Sequence, residues 1–316
     1  MAIALIFPGQ GSQAVGMGKA LAEACAPSRA VFAEVDEALG ESLSRVIFEG
    51  PSETLTLTEN AQPALMAVSL AAIRALEAEA GLDIRRDVKY VAGHSLGEYS
   101  ALAAVGTLSV ADTARCLRIR GQAMQRAVPV GVGAMAALLG LEFEDAAAVA
   151  AEAAEGEVCQ TANDNGAGQV VISGHKDAVN RAVAIAKAKG KRAMLLPVSA
   201  PFHCALMQPA AEAMADALSK VAVDTPAVPV VANVLARPIT EPRTIVESLV
   251  AQVTGTVRWR ESVAYMAGQD VTSFYEVGSG KVLSGLVKRI ADGASGTPIG
   301  TPNDIAAFKA TRVPAN

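Results

Sequence analysis

The chain has 316 residues, of which 51% are hydrophobic and 19% are charged, and its formal net charge is -5. This composition predicts a large packed core, in one large domain with an insert or in two domains, and argues against disorder. The negative charge argues against general nucleic-acid binding, which needs a basic face. The 3 histidines and 4 cysteines form no CxxC pair, HExxH motif or Cys/His cluster, so we expect no metal site and reduced thiols.

No apolar run reaches membrane-spanning length without a charge or a helix breaker. The short apolar run at the N-terminus has no basic residues before it, unlike a secretion signal. We therefore expect a cytoplasmic protein with no membrane partner.

The first part of the chain alternates predicted strands with predicted helices. Ala2–Phe7 is an apolar strand, followed by a glycine-rich loop and a helical pattern to about Leu39. A helix is predicted over Gln62–Ala80, with Gly81 as its stop, and Val88–Ala92 is a second strand. This alternation is typical of a parallel sheet covered by helices on both faces.

Residues 130–198 have a different pattern, β-α-β-β-α-β, which is typical of a ferredoxin-like unit. Its predicted elements are strand Ala134–Leu139, helix Phe143–Ala154, strands Val158–Thr161 and Gln169–Ser173, helix Asp177–Lys189 and strand Arg192–Pro197. We predict an α/β protein with a hydrolase-like parallel-sheet main domain, residues 1–129 and 199–316, and an inserted ferredoxin-like subdomain, residues 130–198. The residues from Gly293 onward, rich in Gly, Pro, Thr and Asn, are expected to lie loosely on the surface.

The segment Gly93–Gly97, here called the elbow, matches the G-x-S-x-G motif with Ser95 as nucleophile. A predicted strand precedes it and a helical pattern follows it, which is the context that this motif requires. Alternatively, Ser95 could cap the helix, with Glu98 completing a capping box. That alternative leaves both glycines unexplained, so the pattern favours the nucleophile.

A serine nucleophile needs a base. His94 belongs to the elbow and should point away from Ser95, and His175 lies at a turn of the insert. By elimination, the favoured base is His203, where the insert returns to the main domain. No acidic residue between Ser95 and His203 stands out as a third triad member, so we expect a dyad whose imidazole is oriented by a backbone carbonyl.

The loop after the first strand, Gly9–Ala14, matches the dinucleotide pattern G-x-G-x-x-A. The acidic residue expected at the end of a second strand is missing, so we interpret this loop as a turn near the nucleophile, with the Gln10 N–H as an oxyanion donor.

Arg120 lies inside the apolar arc of a helix that begins near Val110. Its side chain could snorkel to water, or its guanidinium could be buried and await an anion such as a substrate carboxylate. Helical periodicity alone leaves both possibilities open.

Together these motifs resemble the malonyl-CoA:acyl-carrier-protein transacylases and the acyltransferase domains of fatty-acid and polyketide synthases. The resemblance covers nearly the whole chain. Its motifs are Phe7–Gln13 (FPGQGSQ), Ala61–Leu65 (AQPAL), Gly93–Glu98 (GHSLGE), Ile119–Gly121, Pro201–His203, Gln252 with Val257–Trp259, and Glu276–Gly285. Two departures, Ser279 for a frequent proline and Gly255-Thr256 for a segment often ending in proline, remove no reacting group.

The resemblance implies that Ser95 is acylated and that His203 is the base. The backbone N–H groups of Gln10 and Leu96 would form the oxyanion hole. The malonyl carboxylate would bind Arg120. The implied reaction moves a malonyl group from its coenzyme A thioester to the phosphopantetheine thiol of an acyl carrier protein in fatty-acid synthesis, with no bound cofactor.

The resemblance also implies that the main-chain carbonyl of Gln252 orients His203, and that Asn163 and Asn165 face the cleft. Phe202, next to the base, should crowd any substituent on the malonyl α-carbon. Two rival functions are a serine thioesterase or esterase on the same elbow and a silent carrier-protein-binding module. Because carrier proteins are typically acidic, the candidate docking residues are basic: Lys187, Lys189, Lys191, Arg192, Lys281, Lys288 and Arg289.

Overall fold

The computed structural model of the protein describes residues 2–312 and contains two β-sheets flanked by helices. The strands are β1 (Ala2–Phe7), β2 (Val88–Gly93), β3 (Gly133–Leu139), β4 (Cys159–Asp164), β5 (Gln169–His175), β6 (Arg192–Leu195), β7 (Val230–Val231), β8 (Pro238–Ile239), β9 (Val271–Val277) and β10 (Ser295–Ile299).

The α-helices, joined by one 3₁₀ turn at Ala205–Met207, are α1 (Lys19–Ala24), α2 (Ala26–Leu39), α3 (Leu43–Glu49), α4 (Ser52–Thr56), α5 (Thr58–Ala80), α6 (Ile84–Asp87), α7 (Gly97–Ala104), α8 (Val110–Ala127), α9 (Phe143–Ala154), α10 (Lys176–Ala188), α11 (Gln208–Leu218), α12 (Pro242–Thr254), α13 (Trp259–Gly268), α14 (Val282–Ile290) and α15 (Pro302–Arg312). None of these helices is long and apolar enough to cross a membrane.

The larger sheet has six strands in the order β10-β9-β1-β2-β7-β8, and only the edge pair β7–β8 is antiparallel. Side chains alternate along β1, so that Leu5 and Phe7 pack into one core and Ala4 and Ile6 into another. Helices α2, α5 and α8 contribute to the first core, and α13 and α14 to the second. The sheet is therefore covered on both faces, as the alternation of strands and helices predicts.

The smaller sheet has four antiparallel strands in the order β4-β5-β3-β6, with α9 and α10 packed against it around a core of its own. All four strands fall within the predicted insert, and their order is the ferredoxin-like one. Backbone hydrogen bonds from Asp164 N to Val257 O (2.9 Å) and from Val257 N to Ala162 O (2.8 Å) join β4 to the segment between α12 and α13. The predicted fold class, a parallel-sheet α/β unit with a separate ferredoxin-like unit, is confirmed.

The register of β1 against β2 determines where the glycine-rich loop and the elbow lie. Phe7 at the end of β1 pairs with Gly93 at the end of β2, and His94 N donates to Phe7 O (3.0 Å). The glycine-rich loop after β1 and the elbow after β2 therefore leave the sheet side by side, at the carboxyl edge where open parallel sheets place their ligands.

Several predicted elements differ from the structure by one to three residues at their ends, and two predictions differ by more. Helix α5 begins at Thr58 rather than Gln62, because the polar residues before Gln62 complete its first turn. The expectation that the chain lies loosely on the surface after Gly293 is wrong for residues 295–312: β10 joins the large sheet, and Ile305 and Phe308 of α15 are buried. Residues 313–316 lie outside the described part of the chain.

Phe308 tests how firmly the C-terminal helix is attached. Its ring packs edge-on against Tyr275 of β9, with 4.9 Å between centroids, and only 4% of the residue is exposed. Phe308→Ala should lower the free energy of unfolding by about 3 kcal/mol, because it leaves a cavity against the sheet. In chemical denaturation, Phe308→Leu should cost roughly 1 kcal/mol. Equal stability of all three proteins would contradict the packing of α15.

Candidate active site

Ser95 lies at a strand-to-helix turn with a backbone φ of 53°, the left-handed region that is costly for residues other than glycine. The flanking glycines make that turn possible. A Cβ on Gly93 would lie 1.9 Å from the carbonyl carbon of Gly97, and a Cβ on Gly97 would lie 2.3 Å from the carbonyl oxygen of Phe7. Close packing of the backbone therefore requires glycine at both positions. The interpretation of Ser95 as a helix cap gives no reason for these two glycines.

The capping box itself is not formed. Helix α7 has no side-chain cap, and its N-cap residue is Leu96. The Glu98 carboxylate turns inward, where it accepts hydrogen bonds from Asn233 N (3.0 Å) and Gln252 Nε2 (2.8 Å). The Ser95 side chain is therefore available for another partner.

That partner is His203. Ser95 Oγ lies 2.8 Å from His203 Nε2, and His203 Nδ1 lies 2.9 Å from the main-chain oxygen of Gln252. A carbonyl oxygen can only accept, so the imidazole proton is assigned to Nδ1, and Nε2 is the acceptor for the serine hydroxyl. Burial, together with the positive charge of Arg120, lowers the pKa of His203 to about 3. The imidazole is thus neutral and able to take a proton.

The other two histidines face elsewhere. His94 is directed away from Ser95, with its Nε2 at 2.9 Å from Asn165 Oδ1. His175 Nδ1 accepts from the backbone N–H of Val158 (3.0 Å) at the far end of β5. The geometry brings only His203 to the serine.

Arg120 is buried, with 1% of the residue exposed, so its side chain does not snorkel to water. Its terminal nitrogens donate to Gln62 Oε1 (2.8 Å), Gln252 Oε1 (2.8 Å) and Ser95 Oγ (3.2 Å), and its guanidinium carbon lies 5.7 Å from the centre of the Tyr99 ring. Within the described residues its Nε is buried and has no acceptor. All of these acceptors are uncharged, so the guanidinium is a cation beside the serine with capacity to bind an anion.

Two backbone amides face the same space. Gln10 and Leu96 both line the cleft around Ser95, and neither backbone N–H has an acceptor among residues 2–312. The Gln10 side chain is held by a hydrogen bond to Thr58 Oγ1 (3.2 Å). A free amide at the start of helix α7, beside a second free amide from the loop after β1, is suited to an oxyanion.

The cleft has a volume of about 370 Å³ and lies between the two sheets. It is lined by Ser95, His203, Arg120, Gln62, Phe202 and Asn163, among others. Asn165, predicted to face the cleft, is not among the residues that line it, and its Oδ1 lies 2.9 Å from His94 Nε2. Residues 2–312 contain no cluster of His, Cys, Asp or Glu that could hold a metal ion.

The family model for the acyl transferase domain matches residues 4–297. This chain belongs to the acyl transferase family. The malonyl CoA-acyl carrier protein transacylase of Escherichia coli K12 is 47% identical over 305 residues, which cover 96% of this chain and 97% of that protein. The protein of the same name from Bacillus subtilis 168 is 47% identical over 290 residues, covering 91% and 90%. The family predicted from the sequence motifs is confirmed.

Solved structures agree with this assignment. An acyl-carrier-protein S-malonyltransferase from Bartonella henselae superposes with a TM-score of 0.96 at 56% identity and covers 99% of this chain and 100% of its own. A malonyl-transacylase in complex with a type II PKS acyl-carrier protein superposes with a TM-score of 0.95 at 39% identity, covering 99% and 100%.

The sequence did not indicate a place in the site for Gln62 or Asn233, and it indicated Glu98 only as part of a helix cap. Gln62 and Glu98 are buried on otherwise apolar helices, the same signal that drew attention to Arg120. Asn233 follows β7, where its Oδ1 accepts from Ser95 N (2.7 Å) and its Nδ2 donates to Gly93 O (2.7 Å). No periodic pattern marks Asn233, because it lies in a short irregular turn.

Gly97→Ala tests the packing of the elbow. The added Cβ would collide with the carbonyl oxygens of Phe7 (2.3 Å) and Pro8 (2.9 Å), which are backbone atoms and cannot rotate away. We expect Ser95 to move, and Ser95 acylation to slow by about a hundred-fold or more. The matched control is Gly285→Ala on α14, where the added Cβ would have no atom within 4 Å apart from its chain neighbours and the backbone of its own helix; it should leave the rate unchanged. Equal rates for both variants, measured by intact-protein mass, would contradict the elbow geometry.

Proposed function

We propose that this chain transfers a malonyl group from malonyl-CoA to the phosphopantetheine thiol of an acyl carrier protein through a seryl-malonyl intermediate, in cytoplasmic fatty-acid synthesis. One observation carries the choice of acyl group: a buried guanidinium with only neutral acceptors lies 3.2 Å from the hydroxyl of a serine paired with a neutral histidine. A dicarboxylic thioester has a carboxylate for Arg120 and a carbonyl for Ser95. The names of the relatives support the same donor and acceptor.

In the first half-reaction, Ser95 Oγ attacks the thioester carbon while His203 Nε2 takes the hydroxyl proton. The negative charge that develops on the carbonyl oxygen is stabilised by the amides of Gln10 and Leu96. The carbon–sulfur bond then breaks, and His203 returns its proton to the coenzyme A sulfur. The product is malonyl-Ser95, with its carboxylate still paired to Arg120.

In the second half-reaction, the carrier thiol gives its proton to His203 and attacks the ester carbon. The bond to Ser95 Oγ breaks, and His203 returns the proton to the serine. The main-chain carbonyl of Gln252 keeps the imidazole in one tautomer through both steps, as the acidic member of a triad does elsewhere.

The thioesterase rival uses the same elbow but passes the acyl group to water. The lifetime of the acyl-enzyme separates the two functions: a transferase keeps its acyl group until carrier protein is added, whereas a thioesterase loses it at the same rate with or without the carrier. The silent-module rival forms no acyl-enzyme at all.

Ser95→Ala should abolish mass addition from malonyl-CoA and change the thermal unfolding temperature by only a few degrees, because it removes hydrogen bonds to Arg120 and His203 but no apolar packing. His203→Ala should slow acylation by roughly two to four orders of magnitude, the usual effect of losing a general base. Single-turnover acylation followed by mass spectrometry measures both. A His203→Ala rate within a few-fold of the parent would remove His203 from the mechanism.

Arg120→Ala should change specificity rather than activity alone. Removing one partner of a buried ion pair costs roughly 3–5 kcal/mol, or about two to four decades of malonyl kcat/KM. Acetyl-CoA has no carboxylate to lose, so its kcat/KM should stay level or rise. The control is Arg115→Ala on the same helix, an exposed arginine paired with Asp112 at 2.8 Å, which should alter neither rate. Parallel losses for malonyl and acetyl thioesters in Arg120→Ala would contradict the carboxylate clamp.

A further inference from the structure

Glu98 is a buried carboxylate whose position the acyl-transfer chemistry does not by itself explain. Only 1% of the residue is exposed, and it does not line the cleft. Burial raises its pKa to about 7, against the opposing effect of hydrogen bonds from Asn233 N and Gln252 Nε2 and of the nearby Arg120 charge. Burying a carboxyl group is costly, so its partners indicate what it contributes.

The Gln252 side chain links Glu98 to Arg120. Its Nε2 donates to Glu98 Oε2 (2.8 Å) and to the main-chain oxygen of Ser95 (3.1 Å), and its Oε1 accepts from Arg120 Nη2 (2.8 Å). Glu98 Oε2 also accepts from the backbone N–H of Asn233, so it is the acceptor toward Gln252, and a guanidinium only donates; the amide therefore has a single orientation that satisfies both ends. Rotating the amide by half a turn would place donor against donor and acceptor against acceptor.

We propose that Glu98 is a positioning residue for substrate selection, which fixes the Gln252 amide so that its oxygen holds Arg120 in the orientation that receives the malonyl carboxylate. This inference rests on the proposed function. Glu98 contacts neither substrate nor the reacting atoms; it acts through Gln252. A residue on α7, the helix that follows the nucleophile, therefore contributes to the choice of substrate.

A second set of hydrogen bonds connects Glu98 to the elbow, and its effect on the reaction should differ from that of the contacts to Arg120. Glu98 Oε2 also accepts from the backbone N–H of Asn233, whose side chain bonds Ser95 N and Gly93 O. Disturbing the elbow should slow the acylation of Ser95 by every thioester. Disturbing Arg120 should slow only the thioester that carries a carboxylate, so the ratio of malonyl to acetyl kcat/KM separates the two routes.

The test replaces the acceptor while keeping the volume. Glu98→Leu removes the shorter of the two hydrogen bonds that Gln252 Nε2 donates to Glu98 and to Ser95 O, so the ratio of malonyl to acetyl kcat/KM should fall roughly ten- to hundred-fold, mainly through a higher KM for malonyl-CoA. Glu98→Gln can keep a carbonyl oxygen in the same place and should restore the ratio to within a few-fold of the parent. The matched control is Asn233→Ala, which should lower the malonyl and acetyl rates together and leave their ratio unchanged.

Equal losses for the two thioesters in Glu98→Leu, or no recovery of the ratio in Glu98→Gln, would overturn the inference. If Glu98→Leu does not fold, Gln252→Met provides the second test. It removes the amide but keeps the main-chain carbonyl for His203, so it should lower the ratio by a similar factor, and an unchanged ratio would overturn the inference. If the parent protein forms no malonyl-enzyme, the proposed function is overturned as well. If the parent prefers malonyl-CoA and Glu98→Leu keeps that preference, only the positioning role is overturned.

Discussion

The site depends on one constraint: the buried positive charge of Arg120 has no carboxylate at hydrogen-bond distance within residues 2–312. The Arg120 guanidinium is held by two side-chain amide oxygens, a serine hydroxyl and the face of Tyr99, all of them uncharged. Isolated buried cations are unstable, so the arrangement is suited to an anionic ligand. The same charge contributes to lowering the pKa of His203, which keeps the base neutral. In the proposed reaction, Arg120 would therefore both bind the substrate carboxylate and help to keep the imidazole of His203 unprotonated.

The fold brings these groups together through the parallel sheet. Because β1 and β2 are adjacent and in register at Phe7 and Gly93, the free amide after β1 and the strained serine after β2 share one edge. The small sheet lies across that edge and bonds to the elbow through His94 and Asn165. Transfer rather than hydrolysis requires that water be kept from the acyl-serine, and Ser95 lies inside the cleft between these two units.

Part of this site could be predicted from local sequence. The glycines of the elbow, the alternation of strands and helices and the β-α-β-β-α-β order of the insert are short-range patterns, and the structure has all of them. Helical periodicity does not predict the burial of Arg120, because it indicates which face of the helix carries the side chain but not how far the guanidinium lies from solvent. The links from Glu98 to Gln252 and Asn233 span 154 and 135 residues, and only the tertiary fold determines them. The sequence does not predict helix α15, because its buried residues are Ile305 and Phe308. Two apolar residues are too few to show helical periodicity.

The most direct measurement lets malonyl-CoA and acetyl-CoA compete for the protein and then follows transfer of the bound acyl group to the carrier protein. The protein is mixed with equal concentrations of malonyl-CoA and acetyl-CoA, the intact mass is recorded, and the modified peptide is sequenced by fragmentation. Phosphopantetheinylated acyl carrier protein is then added. We expect one malonyl group on Ser95, which persists in buffer and moves to the carrier thiol. A predominantly acetylated protein, a label on another residue, or loss of the malonyl group to water at the same rate with and without the carrier would contradict this expectation.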